Sequence, residues 1–275
     1  MRNELSLGDA EGEFAELTEK ITREREFRCS SYKDRCLRRR IAVRMRARGV
    51  QRYRDYMRLL DGDAREYDLL LDALTINVTK FFRNWDVFAG IADHVIPELW
   101  AREGSIRVWS AGCASGEEPY SIAILFHRHA TQRGESHRLG RVSVLATDID
   151  RASLAAAEAG CYAEPAFADT PQELRAAYFS PGATATVDPT AKQLVRFARR
   201  DLLREEPPDR ALQLIICRNV VIYFDRQTQE MLFQRFFDAL APGGYLILGK
   251  VETLLGTARG AFTAASPRER IFRRP

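Results

Sequence analysis

Ile106-Arg-Val-Trp-Ser-Ala-Gly-Cys-Ala-Ser-Gly-Glu-Glu-Pro-Tyr-Ser-Ile122 is the stretch on which the fold turns. Residues 106–110 are a short apolar run of strand character. Residues 111–116 form a turn of small side chains, and a helix begins near Glu117. Working outward, the same alternation repeats. Residues 142–147 read as a second strand and 151–159 as a helix. Residues 212–217 read as a third, more buried strand and 227–240 as a long helix. Pro242-Gly-Gly244 turns into a strand over 245–248. Strands alternating with helices predict parallel pairing, hence an α/β, doubly wound, Rossmann-like sheet. The tail, 261–272, is expected to add one last edge strand. Turns at Ser180-Pro-Gly182 and Asp188-Pro189 bracket two short β-like runs, 183–187 and 193–197. These are read as a small β insertion on the sheet, at about 179–200.

Toward the N-terminus the texture is helical. Phe14, Leu17 and Ile21 recur at helical spacing, as do Tyr32, Cys36, Ile41 and Met45. Tyr53, Tyr56, Met57 and Leu60 follow, then Tyr67, Leu70, Leu71 and Leu74, with Gly49 and Asp61-Gly62-Asp63 as punctuation. About four helices are expected. The chain therefore divides into a small all-helical domain, 1–80, and an α/β domain, 81–275.

At 275 residues, 45% hydrophobic and 29% charged, the composition excludes collagen-like and low-complexity chains. It contains no apolar run of about 18 residues, so no membrane insertion is expected. The first residues lack a signal-peptide layout, so a cytoplasmic location is expected. Five cysteines without CxxC or zinc spacing read as reduced thiols, and no metal site is expected. Charge is unevenly spread. Residues 20–58 hold thirteen Arg and two Lys against four acids, in a chain whose net charge is only +4. Such a stripe suits an acidic partner.

Four segments carry chemistry. In the turn, small residues at Ala111, Gly112, Ala114 and Gly116 let backbone approach a ligand. No GxGxxG or phosphate-loop lysine is present. Asp148 follows the second strand, where an acid takes ribose hydroxyls of a nucleoside-bearing cofactor, a dinucleotide or S-adenosylmethionine. The alternative, a helix cap, suits Asp150 better. Asn77-Val-Thr79-Lys-Phe-Phe-Arg83 sits between the two domains. Cys217-Arg218-Asn219 ends the third strand, with Tyr223 just beyond.

In that order and spacing, INVTKFFRN, VWSAGCASGEEPYSIAI, LATDID and IICRNVVIYFD resemble the CheR family, the chemotaxis receptor glutamate O-methyltransferases that use S-adenosylmethionine. Tyr32-Lys-Asp and Arg38-Arg-Arg-Ile-Ala-Val-Arg44-Met-Arg46 are similar to that family's helical N-terminal domain, so the resemblance runs from about residue 14 to 272. It implies a class I methyltransferase fold and S-adenosylmethionine as cofactor, leaving S-adenosylhomocysteine as product. Asn77, Thr79 and Arg83 would meet the cofactor's amino-acid end or the transfer site. Glu118 would hold its amino group and Asp148 its ribose. Asp201 and Leu202 would flank the adenine, and Arg218 and Asn219 would complete the pocket with Ala111 and Gly112. Arg83 and Tyr223 would lie nearest the incoming carboxylate.

The implied partner is a chemoreceptor methylation region, an acidic helical bundle, met by Arg35, Arg38, Arg39 and Arg46. A monomer acting without nucleic acid is expected. Two residues depart from the family pattern: Asp201 stands where Asn is usual, and Gly249-Lys-Val-Glu252 where Gly-His-Ser-Glu is frequent. The insertion is short next to those of relatives whose receptors carry a tether peptide, which argues against tether binding. His94, His127, His129 and His137 lie outside every motif. Two other functions stay open at this stage: a nucleic-acid methyltransferase, since arginines also bind phosphates, and a non-catalytic signalling adaptor that binds the cofactor.

Overall fold

The computed structural model describes residues 7–75 and 79–275, with side chains from residue 10 onward. The chain separates into two compact units, Met1–Ile76 with Tyr223–Asp225, and Asn77–Ile222 with Arg226–Pro275.

The helical unit contains α1 (Leu7–Arg25), α2 (Asp34–Ala47), α3 (Tyr53–Gly62) and α4 (Ala64–Leu74). Its core is Leu17, Ile21, Leu37, Ile41, Tyr56, Leu60, Leu70 and Leu74, each at most 3% exposed. In α2 the buried face is Leu37, Arg40, Ile41 and Met45. Cys36, expected in that stripe, is only half-buried, and Tyr32 precedes the helix. A charged cluster staples the helices together. Arg44 holds the fully buried Glu66 through two bonds of 3.0 and 2.6 Å, and Tyr56 Oη donates to the same carboxylate at 2.7 Å. The three residues 223–225 join this unit by backbone pairing. Lys33 N donates to Tyr223 O at 2.9 Å, and Asp225 N donates to Ser31 O at 3.0 Å.

The α/β unit opens with α5 (Trp85–Gly90), a π turn (Ile91–Val95) and α6 (Ile96–Ala101). There follow β1 (Ile106–Ala111), α7 (Glu117–Gln132), β2 (Val142–Asp148), α8 (Arg151–Ala159), β3 (Cys161–Ala163), α9 (Gln172–Tyr178), β4 (Thr184–Thr186), α10 (Pro189–Lys192), β5 (Val195–Arg199) and β6 (Leu212–Cys217). Last come α11 (Arg226–Ala239), β7 (Leu240–Leu248), α12 (Ala258–Ala261), β8 (Thr263–Ser266) and β9 (Ile271–Arg273). The main sheet has the order β5-β2-β1-β6-β7-β9-β8. It is parallel from β5 to β7, and β8 and β9 add an antiparallel edge. The strand order reverses between β1 and β6, and ligands of doubly wound sheets bind beyond the carboxyl ends there.

Three details differ from the sequence reading. The run at 193–197 is not part of an insertion. It belongs to β5, the outer strand of the main sheet, paired in parallel with β2. The other run supplies β4, which lies outside that sheet in a two-stranded pair with β3, a three-residue strand too short to show a pattern. The tail forms a hairpin of two strands rather than one edge strand. Pro242-Gly-Gly244 lies inside β7, where the ladder with β6 shifts register between Leu212 and Leu214. Among the described residues no helix is long and apolar enough to cross a membrane.

Candidate cofactor and methyl-transfer site

The carboxyl ends of β1, β2 and β6 bring buried charge together. Glu118 lies in the first turn of α7 and is 9% exposed. Ser110 Oγ donates to its Oε1 at 2.9 Å, and Arg218 Nη1 stands 3.9 Å from its Oε2. Burial pushes its pKa up to about 7, against the pull of Arg218 and the Ser110 hydrogen bond. Asp148 ends β2. Its Oδ2 accepts from Ala114 N at 2.8 Å and its Oδ1 from Asp150 N at 3.0 Å, leaving a further lone pair on each oxygen. Burial raises its pKa as well. Asp150 caps α8 by accepting from Ala152 N, so Asp148 is not the cap. Glu117, beside Glu118, accepts from Ser115 Oγ at 2.7 Å and is likewise pushed up by burial.

The small-residue turn is built for packing as much as for ligand approach. Gly112 and Gly116 have φ of 80° and 94°, which favours glycine. A Cβ on Gly112 would meet Val220 Cγ2 at 2.6 Å, and one on Gly116 would meet Ala157 Cβ at 2.8 Å. Both faces are thus taken by neighbouring side chains. The turn is strapped to β2, where Thr147 O accepts from Gly112 N at 2.8 Å and from Cys113 N at 3.0 Å.

The segment carrying Arg83 is held from three sides. Ser121 Oγ accepts from Phe82 N at 3.0 Å, and Asp169 Oδ2 accepts from Asn84 N at 3.0 Å. Arg218 Nη2 donates to Arg83 O at 2.8 Å and to Asn84 Oδ1 at 3.1 Å. Phe82 and Asn84 both take positive φ, so this turn depends on those anchors. Arg218 is therefore a buried clamp on the Arg83 turn. Its Nε has no partner among the described residues. Thr79 and Arg83 are half-buried, and Asn77 lies outside the described residues.

Asp201 is half-buried, and its Oδ1 accepts from Leu203 N at 2.8 Å. Its other oxygen is 3.5 Å from Arg204 Nε, so the acid found in place of an amide has its own counter-charge. Leu202 is half-buried in the same turn. Among residues the sequence reading missed, Ser121, Asp169 and Glu252 stand out. Each acts on the backbone of a distant segment, and no local pattern announces that. Cys113 and Cys217 are buried and their thiols pushed well up, so they are packing groups. His127 Nδ1 lies 3.0 Å from Tyr178 Oη, and His129 packs edge-on against Trp100.

S-adenosylmethionine fits this donor set. Its ammonium calls for a buried carboxylate, and Glu118 is one; its ribose calls for an acceptor, and Asp148 is buried with acceptor capacity beyond its bonds to Ala114 N and Asp150 N. A carboxylate and a guanidinium close together, Glu118 Oε2 and Arg218 Nη1, suit a group of mixed charge.

In the helical unit, Arg40 is buried against the Tyr223 ring. Arg35, Arg39 and Arg46 are exposed on α2. Arg38 departs from the expectation of a solvated docking residue. It pairs with Glu11 at 2.5 Å and lies over the Phe14 ring at 3.7 Å. The basic stripe is also partly neutralised by acids outside it. Arg25 meets Asp68, Arg48 meets Asp63 and Glu66, and Arg52 meets Glu13.

Residues 77–271 match the family model described as CheR methyltransferase, SAM binding domain, and residues 12–75 match its all-alpha domain. A chemotaxis protein methyltransferase of Listeria innocua is 34% identical over 257 residues, covering 92% of this chain and 94% of the relative. One of Escherichia coli is 33% identical over 261 residues, covering 92% and 87%. A 104.1 kDa uncharacterized protein of Rhodobacter capsulatus is 38% identical over 245 residues. There the match takes in 88% of this chain but only 25% of the relative. With both parts of the chain matched in order, and with buried acids at the strand ends where this fold binds its cofactor, the chain belongs to the CheR methyltransferase family.

Proposed function

We propose that this protein transfers the methyl group of S-adenosylmethionine to glutamate carboxylates of chemoreceptors, forming methyl esters. The observation that carries this reading is the match of residues 77–271 to the family's SAM-binding domain. When bound, S-adenosylmethionine supplies a methyl group on a sulfonium, open to direct displacement. A glutamate of pKa about 4.3 is already ionised at neutral pH, so the nucleophile needs no general base.

The protein's part is then placement. Glu118 holds the ammonium end and Asp148 the ribose. Asp201 and Leu202 flank the base, and Thr79, Ala111, Gly112 and Asn219 line the remainder. Arg83 orients the incoming carboxylate, whose oxygen must stand in line at roughly 3–3.5 Å from the methyl carbon, and the family resemblance alone assigns Tyr223 to the same task. Arg218 fixes the Arg83 turn through its bond to Arg83 O at 2.8 Å. Charge is lost from both reactants in the transition state, so exclusion of water favours the step. The exposed arginines of α2, Arg35, Arg39 and Arg46, steer the acidic receptor helices. Incubation with S-adenosylmethionine and either receptor fragment or RNA tests the reading. Methyl incorporation into the fragment alone supports it, and incorporation into RNA alone overturns it.

A further inference from the structure

Glu252 lies in the loop after β7 and is 3% exposed. Its turn is closed by Glu252 N donating to Gly249 O at 2.9 Å. The carboxylate bridges two loops. Oε2 accepts from Gly249 N at 2.5 Å and from Asn219 N at 3.0 Å, while Oε1 accepts from Ile222 N at 3.3 Å. Asn219 has φ 61°, in the left-handed region that few non-glycine residues adopt without support. An N–H pinned to a carboxylate supplies that support. The fit is close, because a Cβ on Gly249 would lie 2.7 Å from Glu252 Oε2 and 2.9 Å from Asn219 N. The loop is anchored from outside as well, through Lys250 Nζ to Asp86 Oδ2 at 2.5 Å and Arg270 Nε to Lys250 O at 3.2 Å. Val251, between these anchors, is 76% exposed. The loop's fixed part is therefore the carboxylate end, aimed at the segment that follows β6.

We propose that Glu252 is a positioning residue for the cofactor site: its buried carboxylate, shared between Gly249 N, Asn219 N and Ile222 N, holds the segment carrying Arg218 and Asn219 in its working conformation. This rests on the reading of Arg218 and Asn219 as part of the cofactor site. It also accounts for the altered Gly-Lys-Val-Glu sequence. Lys250 and Val251 are exposed, whereas Gly249 and Glu252 contact each other inside the loop.

Calorimetric titration with S-adenosylmethionine, alongside thermal melting, tests this on the full chain. Glu252→Gln keeps the shape but presents an amide where a second N–H must be accepted. Gly249→Ala disturbs the same cradle from its opposite wall. Each is expected to weaken cofactor affinity roughly tenfold at unchanged stoichiometry. The double variant is expected to be little weaker than either single one, since both break one arrangement. Lower melting temperature with wild-type affinity, a loss of binding stoichiometry alone, or additive losses would each overturn the proposal. Because the readout is cofactor binding, a wild-type protein that failed to methylate receptor would contradict the proposed function and leave this result interpretable.

Discussion

The Arg40 guanidinium carbon lies 4.4 Å from the centroid of the Tyr223 ring, inside the helical unit, with Nε and Nη2 of Arg40 unpaired among the described residues. A cation over an aromatic face contributes about 0.5–2 kcal/mol. Each unpaired buried donor costs about 1–3 kcal/mol. Arg40→Ala should therefore leave the melting temperature unchanged or raised. If Tyr223 orients the carboxylate, the same variant should lose about tenfold in turnover with cofactor affinity intact. A large drop in stability with normal turnover per folded molecule would show that Arg40 serves the fold alone.

Asp148 offers the clearest binding test. Its carboxylate is buried at the end of β2 and keeps acceptor capacity after its two backbone bonds. Hydrogen bonds to a charged acceptor contribute roughly 1.5–3 kcal/mol each. Asp148→Ala should weaken S-adenosylmethionine binding at least about tenfold by calorimetry. Unchanged affinity would remove Asp148 from the ribose.

The site should also respond to pH through Glu118, whose pKa is raised to about 7 by burial. A carboxyl raised in the folded state favours the protonated form. The stability it contributes is complete below the ordinary carboxyl value and is lost as pH rises through about 7. An ammonium prefers the ionised form, so affinity for S-adenosylmethionine should climb between about pH 6 and 8 and then level off. Glu118→Gln should flatten that rise and bind more weakly throughout. A rise of the same size in Glu118→Gln would assign the titration to another group.

The basic helix gives a graded prediction. Arg39 and Arg46 are exposed on α2, whereas Arg38 is tied to Glu11 and Phe14. Reversing Arg39 and Arg46 to Glu should raise KM for receptor and spare cofactor affinity. The difference from wild type should shrink as salt shortens the roughly 8–10 Å screening length. Arg38→Glu should lower the melting temperature as well, because it loses a stacked contact inside the unit. Equal KM for the Arg39/Arg46 variant and wild type at low salt would return these arginines to a plain solvated face.

What was legible in the sequence follows from where the signal is local. β1, its turn, β2 and β6 announce themselves because buried parallel strands are continuous apolar runs that end in polar site residues. β5 was misplaced because Val195-Arg-Phe-Ala-Arg199 is an edge strand with polar residues on one side, and it resembles an insertion strand when read alone. Asp148 was a candidate from its position after a strand, and Glu118 only through the family resemblance. Ser121, Asp169 and Glu252 were not, because each acts across tens of residues on another segment's backbone. Arg38 misled for a related reason. Its acid partner, Glu11, lies outside the basic stretch and reaches it only when α1 packs on α2.

The most direct test is the chemical nature of the product. Receptor cytoplasmic fragments are incubated with methyl-labelled S-adenosylmethionine and the protein, then treated with mild alkali. The account predicts label in the receptor fragment, released as methanol by alkali, and absent when the acceptor glutamates are replaced by alanine. Label that survives alkali, or label persisting after the glutamates are removed, would contradict carboxylate methylation.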